Sequence, residues 1–191
     1  YGTKTETKEA IENREYMLKN IFHKFDFFLC ISQPLYDMAK KYSPRAKAIK
    51  VPIMSEGDLN GDDFTEEMPP YIFHSGTLYE QKDGICGMLR AFRIISEYDI
   101  KDRVHFLGYI DVVTLRKYQK NATMAIINKY DTQQNRFCFS TKLSEYLSFS
   151  IPVITTTVGE ANNYLKDGVN AYVVETHKPE LIAEKITHII N

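Results

Sequence analysis

The sequence predicts an α/β protein built on a doubly wound parallel sheet, and three observations lead there. From Tyr71 onward, short apolar runs alternate strictly with amphipathic stretches at helical spacing, the order expected of a parallel sheet with helical crossovers. The runs are nearly all apolar and bounded by turn residues, as in strands covered on both faces. Of the 191 residues, 43% are hydrophobic and 26% charged, the balance of an ordinary folded protein rather than a disordered or membrane-embedded one.

The elements follow in order. "YGTKTETKEAIENREYM" is charged and helical in character, begins without a methionine and reads as part of something longer. "DFFLCIS" (Asp26 to Ser32) predicts a strand, and "QPLYDMAKKY" a helix with Pro34 near its start, where the missing N–H costs little. "AIKVPIM" (Ala48 to Met54) is a second strand candidate. "SEGDLNGDDFTEEMPP" (Ser55 to Pro70) has the Gly, Asp, Glu and Pro content of a linker.

The alternation then runs strand "YIFHSG", helix "GICGMLRAFRIISEY", strand "RVHFLG", helix "VVTLRKYQKN", strand "TMAIIN" and helix "KLSEYLSF". It closes with strand "PVITTT", a short helix "EANNYL", strand "AYVVE" and helix "PELIAEKITHIIN". In the first of these helices Ile85, Met88, Leu89, Phe92 and Ile95 make one buried stripe.

Several function classes are disfavoured. The net charge is -1, and the short "AKKYSPRAKAIK" run is the one basic stretch, so the footprint of a nucleic-acid binder is missing. Cys30, Cys86 and Cys138 are odd in number and lack CxxC spacing. They argue against a disulfide framework or a zinc site, and their apolar surroundings predict small buried thiols in a reducing compartment. No apolar run reaches the ~18 residues of a membrane span, and no signal peptide is recognisable.

In parallel sheets ligands bind beyond the carboxyl ends of the strands. In "HSGTLYEQKDG", Gly76 would let the backbone approach a ligand, and Lys82 sits just before a helix expected near Asp83 or Gly84. A cation beside helix N-terminal amides suits a phosphate; a turn glycine and a solvated lysine would look the same. His74 has the bland reading of a satisfied core histidine. Gly108 and Tyr109 could present backbone and ring edge to a flat base, or simply turn the chain.

The loop from Asn128 to about Ser140 is long and polar, as functional loops often are. Ser140 and Thr141 are good N-cap residues for the helix that follows. Lys142 in its first turn opposes the helix dipole, which a bound phosphate would offset. Glu145, one turn on, can accept the two hydroxyls of a ribose diol. The competing reading is an exposed i, i+3 ion pair of small energetic value.

Taken in order, these motifs resemble the C-terminal, donor-binding domain of retaining GT-B glycosyltransferases of the group 1 (family 4) type. The resemblance rests on "YIFHSGTLYEQKDG", "VHFLGYID", "KLSEYLSFSIPVITTTVGE" and "DGVNAYVV". "FDFFLCISQPLYDMAKKY" looks like the end of the acceptor-binding domain and "AIKVPIMSEGD" like the crossing between domains. The implied organisation is a Rossmann-like GT-B half-domain at 71–191, a linker at 55–70, and the C-terminal part of the acceptor domain at 1–54.

What the resemblance implies is transfer of a sugar from a nucleoside diphosphate sugar, UDP- or GDP-linked, to a glycan or lipid-linked acceptor. Gly76, Thr77, Lys82, Ser140, Thr141 and Lys142 would hold the diphosphate, Glu145 the ribose, and Gly108–Tyr109 would lie near the base. No cofactor or metal is implied, and the catalytic residues would lie outside this chain. The implied location is cytoplasmic, with peripheral membrane association in the full-length protein.

Three positions depart from the family pattern. Thr77 stands where an arginine is usual, Phe137 where the first acid of a Glu-x7-Glu motif is usual, and Ser140 where a glycine is usual. Sugar contacts would then fall near Phe137 to Asn135 or to backbone groups. A sugar-nucleotide epimerase and a non-catalytic binding module stay open as alternatives.

Overall fold

The computed structural model describes residues 7–53, 68–96 and 100–191. The predicted linker lies largely in 54–67, outside the described residues, as do Met54, the first six residues, and 97–99 at the end of one predicted helix. The chain forms two parallel sheets, one of two strands and one of four.

The first sheet pairs β1 (Phe27–Cys30) with β2 (Lys47–Lys50), joined through α2 (Gln33–Tyr42) and preceded by α1 (Lys8–Asn20). Ser32 caps α2 through its hydroxyl, which accepts from the Leu35 N–H, and Pro34 occupies the first turn as expected. Phe27, Leu29 and Ile49 share one face and are exposed, because α2 covers only the other side of a two-strand layer.

The second sheet has the order β3 (Ile72–Phe73), β4 (Met124–Ile127), β5 (Val153–Thr156), β6 (Tyr172–Val174), all parallel. Every residue of β4 and β5 is buried, as their continuous apolar sequences require. One face carries a core of Phe73, Ala125, Ile127, Leu143, Tyr146 and Val153, with Leu115 and Tyr118 packed against it. These side chains come from α5 (Val112–Lys120) and α7 (Thr141–Ser148) as well as from the strands.

The other face packs Met124, Ile126, Ile154 and Val174 against α4 (Ile85–Ile95) and α8 (Pro179–Ile190), which supply Ala91, Ile182, Ala183 and Ile186. Helices on both faces of a parallel sheet confirm the α/β, Rossmann-like class. At about 25 cal/mol per Å² of buried apolar surface, these two layers supply the main favourable term for folding.

Three local expectations are corrected. "RVHFLG" is not a strand: residues 104–107 are extended but unladdered, with Phe106 and Leu107 exposed. β3, two residues long and at the edge of the four-stranded sheet, pairs only with β4 among the described residues. The thiols also differ, since Cys30 is buried, Cys138 is partly covered and Cys86 is exposed on the first turn of α4. The predicted "EANNYL" helix is a 3-10 turn at Gly159–Asn163. No helix among the described residues is long and apolar enough to cross a membrane.

Candidate functional site

A cluster of charged and polar groups forms where β3 and β4 end and α7 begins. Past β3, the Ser75 N–H donates to the Tyr146 phenol oxygen at 2.9 Å, and the two hydroxyls lie 2.9 Å apart. Burial pushes the Tyr146 phenol up to about 12, so it stays a neutral partner for this turn. His74 Nδ1–H donates to the Ile126 carbonyl at 2.8 Å, which leaves Nε2 as a buried acceptor with no partner. Burial also holds this imidazole below its usual pKa, favouring the neutral ring.

The centre of the cluster is Asp83, which is 3% exposed. It ends the short helix α3 (Glu80–Asp83), so Lys82 lies inside a helix rather than just before one. Left-handed Gly84, at φ 59°, separates α3 from α4. The Thr77 hydroxyl donates to Asp83 Oδ2 at 3.1 Å, and Lys142 Nζ stands 3.8 Å from Oδ1. A Cβ on Gly76 would lie 2.8 Å from His74 Nε2 and 3.1 Å from Asp83 Oδ2. The crowding at that position comes from the chain's own His74 and Asp83 side chains, which leave little room for any residue but glycine.

Helix α7 presents its N-terminus here. Ser140 is the N-cap residue, but its hydroxyl makes no capping bond, and the first turn holds no acid. The first-turn amides thus lack a side-chain acceptor, an arrangement that suits an external anion. Lys142 pairs with Asp83 across the cluster and not with Glu145, so the surface ion-pair reading of these two residues fails. One oxygen of Glu145 accepts from Nε2 of buried Gln119 at 3.0 Å, which fixes the carboxylate and leaves its other oxygen for a ligand.

The remaining predicted residues are placed differently. Asn135 is buried at the start of α6 (Gln133–Phe137), within the loop that the sequence presents as wholly irregular. Its amide nitrogen lies 2.9 Å from the Tyr130 carbonyl, 3.3 Å from that of Gln81 and 3.4 Å from that of Lys82. Asn135 therefore shapes the site by tying α6 to α3, with its Oδ1 buried and unpartnered. The Phe137 carbonyl accepts from Ser32 Oγ at 2.7 Å, toward the first sheet. Gly108, at φ 67°, and fully exposed Tyr109 make no hydrogen bond to the Asp83 cluster among the described residues.

Two participants escaped sequence reasoning. Asp83 stood only as the expected start of a helix, and its burial is a tertiary fact. Lys129 lies two residues past β4, in "IINKYD", and a cation just past a buried strand was the available signal. Its ammonium interacts electrostatically with Cys138, Lys142, Asp83 and Lys82, and burial lowers its pKa.

Residues 85–191 match the family model described as glycosyl transferases group 1. The chain belongs to this family. No curated protein sequence matches this group 1 chain significantly. Among solved structures, it is similar to sucrose-phosphate synthase from Thermosynechococcus elongatus, with a TM-score of 0.74 at 18% identity, covering 98% of this chain and 55% of that one.

It is also similar to Anabaena HepE in complex with UDP and glucose, with a TM-score of 0.68 at 13% identity, covering 98% of this chain and 61% of that one. The pneumococcal O-GlcNAc transferase GtfA, in complex with UDP and GlcNAc, aligns with a TM-score of 0.63 at 17% identity, covering 94% and 40%. These structures share the GT-B glycosyltransferase fold. The group 1 chain spans roughly half their length.

Proposed function

We propose that this chain is the donor-binding half of a retaining glycosyltransferase that takes a UDP- or GDP-sugar and passes the sugar to a glycan or lipid-linked acceptor. The observation that carries the reading is the charge balance of the cluster. Lys142 Nζ stands 3.8 Å from the buried carboxylate of Asp83, and Asp83, Lys82 and Lys142 all act electrostatically on Lys129, next to the uncapped start of α7. Three cations against one anion call for a polyanionic ligand, and a diphosphate supplies it.

In this reading Lys82 and Lys142 meet the diphosphate, with Gly76, Thr77, Ser140 and Thr141 around it. Glu145 takes the ribose hydroxyls with the oxygen that Gln119 leaves unused. Gly108 and Tyr109 approach the base from their exposed segment, and the backbone near Asn135 and Phe137 faces the sugar. The chemistry asked of this half is orientation and stabilisation of the departing diphosphate by fixed cations and helix amides, without a metal or other cofactor. Acceptor contacts and catalytic groups belong to the other half, so this chain alone binds nucleotide and transfers nothing.

The working location is the cytoplasm, where nucleotide sugars are made, with the full-length protein at the inner membrane surface if its acceptor is lipid-linked. Calorimetry with UDP and GDP tests the reading. Binding to one of them should be lost in Lys82→Ala and Glu145→Ala, and unchanged affinity in both variants would remove the site assignment. Incubation of the full-length protein with donor alone separates a transferase from an epimerase, which would turn the donor over without acceptor.

A further inference from the structure

We infer that Lys129, two residues past β4 on the same face of the sheet as Lys142, is a third diphosphate-binding cation of this site. The inference rests on the nucleoside diphosphate reading given above and adds a residue that no motif marks.

The backbone argument comes first. The Lys129 N–H donates to Thr156 Oγ1 at 2.9 Å, and the same hydroxyl donates back to the Lys129 carbonyl at 2.8 Å. This reciprocal pair pins the residue to the end of β5. Its two neighbours turn toward α3 and α4: Asn128 Nδ2 donates to the Gly84 carbonyl at 2.7 Å, and the Tyr130 hydroxyl donates to Glu80 Oε1 at 2.6 Å. Tyr130 is held further by stacking on His177 with ring centroids 4.2 Å apart. Along β4, Ala125 and Ile127 pack on the face covered by α7 while Asn128 turns to Gly84 on the other, so the alternation of the chain puts Lys129 on the α7 face, where Lys142 stands in the first turn of that helix.

The charge argument follows. The Lys129 ammonium forms no hydrogen bond or ion pair with any described residue, yet it is only partly exposed. Asp83, the nearest carboxylate acting on it, already accepts from Thr77 and pairs with Lys142. Removing an ammonium from water without a partner is unfavourable. Burial and the neighbouring Lys142 and Lys82 all act against its charge. A polyanion arriving between the three lysines reverses each of these effects at once. A monophosphate would leave one cation poorly matched, so the preference is for the diphosphate.

The test is calorimetry of the chain with inorganic pyrophosphate, UDP, GDP and uridine, comparing wild type with Lys129→Met and Lys129→Arg. In Lys129→Met, pyrophosphate and the preferred nucleoside diphosphate should bind roughly ten- to a hundredfold more weakly, as expected when a charge-assisted contact is removed. Uridine binding should stay as in wild type, and Lys129→Arg should restore most of the loss. Thermal unfolding of the same variants shows whether the fold is intact.

Alkylation of Cys138, whose thiol neighbours Lys129, gives a second readout: pyrophosphate should protect it in wild type and not in Lys129→Met. Wild-type affinity in a folded Lys129→Met overturns the inference alone. Pyrophosphate binding without any nucleotide preference keeps Lys129 as a polyanion contact and removes the nucleotide-sugar reading. Failure of wild type to bind any of the phosphates overturns both.

Discussion

His74 shows how a single residue couples the site to pH. Its Nδ1–H is committed to the Ile126 carbonyl, and its buried Nε2 has no partner. Burial is the largest cause of its lowered pKa; the Ile126 hydrogen bond and Asp83 pull the other way, while Lys142 and Lys129 add to the lowering. The unfolded chain therefore binds a proton at higher pH than the folded one. The resulting stability is complete above the ordinary histidine pKa of about 6.5 and is lost as pH falls from there toward the lower folded value. Thermal unfolding measured across this range should show a slope that His74→Asn reduces, since Asn keeps a donor but cannot titrate. An identical slope in the variant would assign the acid sensitivity elsewhere.

At the same scale, much of the site was legible and some was not. Gly76, Thr77 and Lys142 lie about Asp83, and Lys82 precedes it in α3. They could be picked out because turn and cap positions impose local rules that a sequence displays. Lys129 and Asp83 could not, because their importance comes from burial and from neighbours distant in sequence. Asn135 illustrates a third outcome: it was named for sugar contacts, and its amide serves backbone carbonyls, a role that depends on how α6 meets α3.

Among the elements, the contact between the β3 turn and α7 matters most. The Tyr146 hydroxyl, on α7, holds both the N–H and the hydroxyl of Ser75, so the helix whose first-turn amides lack a side-chain cap also sets the turn carrying Gly76. Tyr146→Phe leaves a backbone N–H without its acceptor and should cost about 1–3 kcal/mol. Urea unfolding measures that cost. Nucleotide affinity should fall as well, through loss of turn position, and an unchanged affinity at reduced stability would show that the turn is set by other contacts.

The elements themselves followed from period and composition wherever both faces were covered, as in β4 and β5. "RVHFLG" misled because apolar content signals a strand only if a ladder partner is present, and β3 pairs only with β4 among the described residues.

For the molecule as a whole, Glu160 is the principal link between the two sheets. It is 2% exposed, accepts from the Gln33 N–H at 2.8 Å and from Lys50 Nζ at 2.8 Å. Burial alone would raise its carboxyl pKa, but these hydrogen bonds outweigh that and hold it below the usual range. Its contribution is therefore present above the ordinary glutamate pKa of about 4.3 and lost as pH falls through the lower folded value.

Glu160→Gln keeps the shape and loses the charge-assisted bonds, with an expected cost of about 2–3 kcal/mol. Denaturant unfolding near neutral pH would register it, and the difference from wild type should shrink in acid. A constant difference at all pH values would mean that the carboxylate charge is not what joins the sheets. This link was invisible in the sequence, where "TTVGEA" reads as an ordinary strand-end loop.

Gly159, at φ 77°, stands directly before Glu160, and a Cβ there would lie 2.6 Å from the Asn135 carbonyl oxygen and 3.0 Å from that of Cys138. Asn135 in turn ties its loop to α3, while Glu160 grips α2 and β2. One glycine thus lies between the two sets of contacts, and no side chain fits in the gap. Any larger residue at 159 would have to push the Asn135 loop away from the segment that carries Glu160, so a single added methyl group strains the link between the two sheets.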